Sequence, residues 1–316
     1  MGGLAVAALL AAVAVGSTQS AGVLLRAAWP RRSPAAAILL WQALGLAGGL
    51  AAIGALLALG VGGQGTQRAG VLGGLSALAV RVADGRLLAP HQSAVLSTVR
   101  AAMLAAGFAL LTVLCWVLVM AFAAAIGARR RQRELLALLA HGDPKAPGAL
   151  IIDYPAAAAY CLPGIRSQIV VSAGALDLLA PAELAAVLAH ERAHLRARHD
   201  LVLIPFTSLR RAFPRSRVIR QAYQNVALLV EMMADDRALR VQGLVARELA
   251  TALLRFGTAG AECAPAGALA VAEGQLTARV NRLLAPPAPL SRPVQAGIVL
   301  AAAMLAAAPI LLLLTP

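Results

Sequence analysis

Two histidines and a glutamate stand at a spacing that suits metal-dependent hydrolysis. In the segment 181–194, His190 and His194 are four residues apart, and Glu191 directly follows the first histidine. On a helix, residues four apart lie on one face, so both imidazoles can occupy corners of a Zn²⁺ tetrahedron. Glu191 lies about 100° further round and can act as a general base on water without binding the metal. This HExxH arrangement predicts a zinc-dependent hydrolase.

A helix with a buried face must position these three residues. Pro181 suits the first position of that helix, and Leu184, Val187, Leu188 and Leu195 recur at helical spacing. A His-Glu-His set on a buried helix needs a polar or ionic partner. The apolar surroundings therefore favour a bound metal over a chance occurrence of the motif.

The third zinc ligand is expected to be an acidic residue. No histidine follows His199 in the chain, and a catalytic zinc site takes three protein ligands and leaves one position for water. Glu231 lies in an apolar stretch of a second predicted helix, where an unpaired carboxylate would be costly. Asp235, one turn later, is expected to orient a zinc-binding histidine. The alternative is an acidic surface stripe, to which Asp236 would contribute.

Two further segments are predicted near this site. Residues 165–172 follow a Leu-Pro-Gly turn and are expected to form a short strand. That strand either holds an extended substrate by main-chain hydrogen bonds or is an ordinary structural strand. Residues 279–284 are expected to form a basic helix, for which membrane anchoring is favoured over contact with substrate. Tyr223, Arg279 and zinc itself are the candidates for stabilising the oxyanion.

The composition places this chemistry in a membrane protein. Hydrophobic residues make up 60% of the 316 residues and charged residues 13%, against about 45–50% and about 25% in soluble domains. The charges are uneven, because 21 basic and 13 acidic residues lie within 129–292. These figures exclude a disordered chain and an ordinary cytosolic enzyme.

Four apolar stretches predict four transmembrane helices, over 4–25, 34–61, 101–128 and 294–316. The chain is therefore expected to be mainly α. Residues 1–128 would contain three spans with an outer loop at 62–100, and residues 129–293 the peptidase domain. The apolar part of the loop, 69–80, is too short to span and is expected to lie at the surface or to re-enter.

Arginine clusters predict the orientation of the spans. Arg26, Arg31 and Arg32 follow the first span, and four arginines at 129–133 follow the third. Both regions are expected to be cytoplasmic, which places residues 129–293 on that side. Of the net charge of +14, the segment 129–292 carries +8, the difference between its 21 basic and 13 acidic residues. This suits a domain that contacts anionic membrane lipid, and no direct nucleic-acid binding is expected.

Other residue types add little to the predicted chemistry. Cys115, Cys161 and Cys263 form no Cys-x-x-Cys pair, so neither a cysteine zinc site nor a disulfide framework is expected. Gly45 and Gly49 form a small-residue pair that is compatible with a homo-oligomer, although packing or chance is the favoured explanation.

The order of motifs resembles the BlaR/MecR-type membrane zinc metallopeptidases, which are bacterial β-lactam-sensor antirepressors and their relatives. The resemblance includes three spans, a cytoplasmic gluzincin-like α+β metallopeptidase domain and a fourth span. The segments that carry it are 162–164, 169–176, 184–200 and Glu231-x-x-x-Asp235.

This resemblance implies roles for the residues of the site. His190, His194 and Glu231 would bind Zn²⁺, Glu191 would polarise the attacking water, and Asp235 would support a ligand histidine. It also implies cleavage of a cytoplasmic repressor protein in a signalling or antibiotic-response pathway. The enzyme would be a multi-pass protein of the bacterial inner membrane with its active site facing the cytoplasm.

The chain departs from the antibiotic-sensing members, and two alternatives stay open. A penicillin-binding sensor is not expected after the fourth span, and no Ser-x-x-Lys motif occurs, because Gly142 stands three residues before Lys145, the only lysine. One alternative is an HtpX-like quality-control metalloprotease, a family that typically carries a further downstream histidine. The other is a non-enzymatic membrane signalling module with a structural metal site, which would usually need a fourth protein ligand.

Overall fold

The computed structural model describes residues 3–62, 66–84, 94–142, 144, 146–164, 167–241, 243–261 and 266–314. Within them the protein is mainly helical with one small sheet, which confirms the predicted fold class.

Four of the described helices are long and apolar enough to cross a membrane. They are α1 (Gly3–Arg26), α2 (Pro34–Val61), α4 (Ala94–Leu139) and α11 (Arg292–Leu314). A 3-10 turn, Trp29–Arg32, joins α1 to α2. All four overlap the apolar stretches predicted from the sequence.

The third of these helices is much longer than its predicted span. The sequence predicted 101–128, whereas α4 has 46 residues and runs on through the arginine cluster to Leu139. Arginine, glutamine, glutamate and leucine are all good helix formers, so the helix continues after the apolar stretch ends.

The predicted outer loop contains a helix. Helix α3, Thr66–Ala83, includes the apolar segment that was too short to span, and it kinks at Gly70, where φ is 62°. A positive φ of this kind costs glycine little, which explains the break at this residue. Residues 63–65 and 85–93 of the predicted loop lie outside the described residues.

A four-stranded sheet follows α4. Its strands are β1 (Ala140–Gly142), β2 (Leu150–Ile152), β3 (Ala159–Leu162) and β4 (Gln168–Ser172), in the order β1-β2-β4-β3. The β2–β4 pair is parallel, and the other two pairs are antiparallel.

The predicted strand at 165–172 is an inner strand of this sheet. Its described part, β4, pairs with β2 on one edge and with β3 on the other. It therefore has no free edge for an extended substrate, and the interpretation of it as a structural strand is correct. Residues 165 and 166 lie outside the described residues.

Six helices complete the segment between α4 and α11. They are α5 (Ala173–Leu178), α6 (Pro181–Ala197), α7 (His199–Ala212), α8 (Arg217–Ala238), α9 (Ala246–Ala261) and α10 (Ala266–Leu284). Helix α6 begins at Pro181, and the Glu183 carboxylate accepts the backbone N–H of Ala180 at 2.9 Å. It ends at Arg198, whose left-handed conformation turns the chain into α7.

Two apolar clusters hold the helices that carry the site. One packs the sheet, α5, α6 and α9 around Ile151, Val171 and Leu188. The other is shared between the candidate spans and the segment that follows them: Trp41 and Leu44 of α2 pack with Phe206 of α7 and Val226 of α8. Helix α8 therefore touches the membrane helices along one face.

Candidate metal site

Helices α6 and α8 bring the three predicted ligands together. The Nε2 atoms of His190 and His194 lie 3.0 Å apart. Glu231 Oε2 lies 3.3 Å from His190 Nε2, and Glu231 Oε1 lies 3.5 Å from His194 Nε2. Among the described residues, these three form the group that could hold a metal ion.

The donor set fits a zinc ion. With ligand bonds of about 2.0–2.1 Å, two corners of a tetrahedron are about 3.3–3.4 Å apart, close to the three separations in the structure. Two imidazole nitrogens and one carboxylate are also the ligand types that zinc accepts. His190, His194 and Glu231 would therefore hold the ion.

Asp235, which was predicted to orient a ligand histidine, lies behind His190. Its Oδ1 lies 2.9 Å from His190 Nδ1, although the contact does not meet the geometry of a hydrogen bond. A carboxylate in this position fixes the ring so that Nε2 faces the metal. Asp235 is fully buried, with 1% of its side chain exposed, so its charge needs a further partner.

Arg279 of α10 supplies that partner. Its Nε and NH2 atoms donate to Asp235 Oδ2 and Oδ1 at 2.9 and 2.7 Å, and NH1 lies 3.0 Å from Glu231 Oε2. One guanidinium thus holds the carboxylates of both Asp235 and Glu231 in place. Membrane anchoring was the favoured prediction for this basic helix, and that prediction did not include the contact of Arg279 with Asp235 and Glu231.

The charges in the site favour a cation between the ligands. Burial opposes ionisation of Glu231, but hydrogen bonds from the two histidines and the charge of Arg279 hold its pKa well below the usual range. Burial also disfavours a charged His190, yet contacts with Asp235 and Glu231 raise its pKa to about 9. The carboxylates therefore attract positive charge to His190, where a proton and a metal ion compete.

Glu191 lies beside the three ligands, on the neighbouring side of α6. Burial raises its pKa, while the adjacent His190 and His194 act in the opposite direction. The neighbouring thiol of Cys161 on β3 also acts to lower the pKa of Glu191. Burial, followed by the charge of Glu191, raises the pKa of Cys161 to about 12, so this thiol remains protonated.

His199 is a residue of the site that the sequence did not single out. Its Nδ1 lies 3.0 Å from His194 Nδ1, and its Nε2 lies 3.0 Å from Arg237 NH1. Burial, with the nearby His194 and Arg237, lowers the pKa of His199 to about 3, so the ring is neutral. A neutral imidazole has one donor and one acceptor, and it can fix the tautomer of His194.

Two other sequence-based candidates lie away from the ligands. Tyr223 packs in the apolar cluster next to the candidate spans, with Arg210 4.3 Å from the centre of its ring. Asp236 is paired by both terminal nitrogens of Arg282, at 2.6 and 2.9 Å. The surface-stripe interpretation therefore suits Asp236 but not its neighbour Asp235.

A small sheet, two histidines on one helix and a carboxylate on a second helix fit the site of a metallopeptidase. Residues 125–259 match the model of Peptidase family M48, a family of zinc metallopeptidases that includes BlaR-type and HtpX-type proteins. The match and the four apolar helices support a membrane-associated metallopeptidase. No curated protein and no solved structure is significantly similar to the chain.

Proposed function

We propose that the protein is a zinc endopeptidase of the bacterial inner membrane that cleaves a cytoplasmic protein. The observation that carries this proposal is the convergence of His190, His194 and Glu231, whose ligand atoms lie 3.0–3.5 Å apart, with Glu191 beside them. The M48 match over residues 125–259 supports the same reaction class.

The number of ligands supports a catalytic site over a structural one. A structural zinc site usually closes with a fourth protein ligand. Within the described part of the chain, the ligand group has three members. The remaining position suits water or substrate, which disfavours the non-enzymatic signalling module.

The residues of the chain divide the work of peptide hydrolysis. Bound zinc would supply Lewis-acid activation of water and of the peptide carbonyl. Glu191 takes a proton from the attacking water onto its carboxylate and passes it to the nitrogen of the leaving amine. Asp235 and Arg279 keep the histidine and the carboxylate of the ligand set oriented throughout.

Substrate would lie beside β3 rather than β4. Strand β3 ends the order of the described strands, and its Cys161 faces Glu191. An extended peptide that adds to this edge by main-chain hydrogen bonds would run past the general base.

A transcriptional repressor is the proposed substrate, by resemblance to the BlaR/MecR-type antirepressors. The active site would face the cytoplasm, because the arginine cluster at 129–133 follows a candidate span. The signal would belong to a signalling or antibiotic-response pathway. An HtpX-like role in membrane-protein quality control is the alternative.

The test combines zinc content with cleavage. Detergent-purified full-length protein would be analysed for zinc and incubated with a soluble winged-helix repressor and with a destabilised membrane protein. We expect about one zinc per chain and internal cleavage of the repressor, with product ends identified by mass spectrometry. Cleavage of the membrane protein alone would favour the quality-control role. Zinc without cleavage of either protein would contradict the proposal for these substrates.

A further inference from the structure

A large cavity lies behind the helix that carries the zinc motif. It has a volume of about 810 Å³ and follows α6 along Ala185, Leu188, Arg192 and Arg196. These residues are three or four apart and so share one face. That face is roughly opposite to the one that presents His190, because Arg192 lies about 200° further round the helix.

The cavity combines an apolar floor with a basic rim. Four of its lining residues are arginines, and no lining residue is acidic. The arginines are Arg192, Arg196, Arg237 and Arg240. The floor includes Leu184 and Leu188, which are buried against the core, and Leu244 of the loop after α8. A ligand with an anionic head and a hydrocarbon stem matches both parts.

Two of these arginines are available for a ligand. Arg196 and Arg240 are exposed, and within the described residues their side chains make no hydrogen bond or ion pair. Arg192 donates to the carbonyl of Pro147 at 3.1 Å across the cavity mouth, and Arg237 contacts His199. Four like charges around one opening, without an acidic lining residue, favour a bound anion.

The end of the cavity that carries the arginines lies next to the contacts between the candidate spans and the segment between α4 and α11. Asp200, which follows α6, pairs with Arg129 at the end of the apolar part of α4. Asp236, beside Arg237, pairs with Arg282, whose Nε donates to the carbonyl of Arg31 at 2.8 Å in the turn between α1 and α2. Arg31 and Arg129 both flank apolar helices that could cross a membrane, so these contacts lie near the ends of the candidate spans.

We propose that this cavity binds an anionic phospholipid. The phosphate contacts the guanidinium groups of Arg196 and Arg240, and the glycerol and first methylene groups lie on the floor formed by Leu184, Leu188 and Leu244. The proposal does not depend on peptidase activity, because none of the three candidate metal ligands lines the cavity.

Binding of a short-chain, fluorescently labelled phosphatidylglycerol to the detergent-purified full chain, followed by anisotropy, tests the proposal. Unlabelled phosphatidylglycerol, phosphatidylcholine, inorganic phosphate and an acidic peptide serve as competitors. The Arg196→Gln/Arg240→Gln variant removes two rim charges, and Ala185→Phe fills the cavity from an exposed lining position. The control variant is Arg217→Gln/Arg220→Gln. It loses the same charge, but at positions on α8 about 30 Å from Arg240.

We expect saturable binding that phosphatidylglycerol alone displaces efficiently. Loss of two arginines near a membrane surface weakens such binding roughly 30-fold. The Ala185→Phe variant is expected to weaken it as well, and Arg217→Gln/Arg220→Gln to leave it unchanged. Equal competition by phosphatidylcholine, by phosphate or by the acidic peptide would overturn the proposal. So would an equal loss in the control variant, or unaltered binding in Ala185→Phe.

Discussion

His194 and His199 face each other through their Nδ1 atoms, which lie 3.0 Å apart. To bind a metal through Nε2, neutral His194 must carry its proton on Nδ1 and donate it to His199. His199 would then carry its own proton on Nε2, the atom that faces Arg237 NH1 at 3.0 Å. Two donors cannot share one hydrogen bond, so the metal-binding tautomer requires Arg237 to turn away.

Removing the acceptor on His199 is expected to weaken zinc binding. His199→Phe keeps a buried ring of similar shape but leaves the Nδ1–H of His194 without a partner. Loss of such a supporting group typically costs 10–100-fold in metal affinity. Competition with a chromophoric chelator measures the change. His141→Phe, at an exposed position on β1, is the control, and equal affinities for the two variants would contradict the role of His199.

Glu191→Gln is expected to separate catalysis from metal binding. The amide fills the same space but cannot take a proton, so cleavage should fall at least about 100-fold. Zinc content should equal that of the wild type, because Glu191 is not among the ligands. The exposed residue Glu273 provides the matched Glu→Gln control. Cleavage retained in Glu191→Gln would remove the general-base assignment.

Arg279→Lys is expected to lower zinc affinity about tenfold while keeping the charge. A lysine ammonium cannot reproduce the fork that holds Asp235 through two nitrogens and also reaches Glu231. Arg282→Lys is a close control, because Arg282 lies one turn later and pairs with Asp236 outside the ligand group. Equal zinc affinity in the two variants, measured by the same competition, would show that Arg279 does not position the ligands.

Cys161 is expected to resist alkylation. A rise of its pKa from 9.0 to about 12 leaves about a thousandth as much thiolate at neutral pH, and only the thiolate reacts. In a Cys115→Ser/Cys263→Ser background, labelling by iodoacetamide at pH 8 should be about a thousandfold slower in folded than in denatured protein. Mass spectrometry quantifies the product. Similar rates would refute the buried contact with Glu191.

Trp41→Ala is expected to destabilise the protein strongly. Trp41 is 3% exposed and packs with Val226 of the helix that carries Glu231, so truncation should cost about 3–5 kcal/mol. Circular dichroism and zinc release on heating should report the same lowered midpoint. Trp116→Ala is the control, since Trp116 is 65% exposed. A lowered midpoint for helix loss without earlier zinc release would contradict a shared core.

Local sequence patterns were enough to predict the two helices that carry the candidate metal ligands. Apolar residues at helical spacing predict a helix, and two histidines four residues apart lie on the same face of it. His190 and His194 are therefore placed side by side whatever surrounds the helix. Glu231 and Asp235 follow from the same periodicity together with the cost of burying a carboxylate. The structure brings all four together.

The parts that could not be predicted depend on tertiary contacts. Arg279 lies 44 residues from Asp235, and only the docking of α10 against α8 reveals the pair. One signal was present, because Arg279 and Arg282 share a helical face and match the adjacent acids Asp235 and Asp236. His199 follows a helix break at Arg198, and periodicity does not give the direction of such a turn. The inner position of β4 in the sheet depends on the order of the strands, and the sequence pattern of one strand does not encode that order.

Two consecutive residues of α8 contact different parts of the protein. Val230 packs in the cluster shared with the membrane helices, whereas Glu231 faces the metal site. Val230 packs with residues of α2, so a displacement of α2 would reach α8 through this shared packing. Any shift of that candidate span would therefore move Glu231 relative to His190 and His194, and with it the geometry of the candidate metal site.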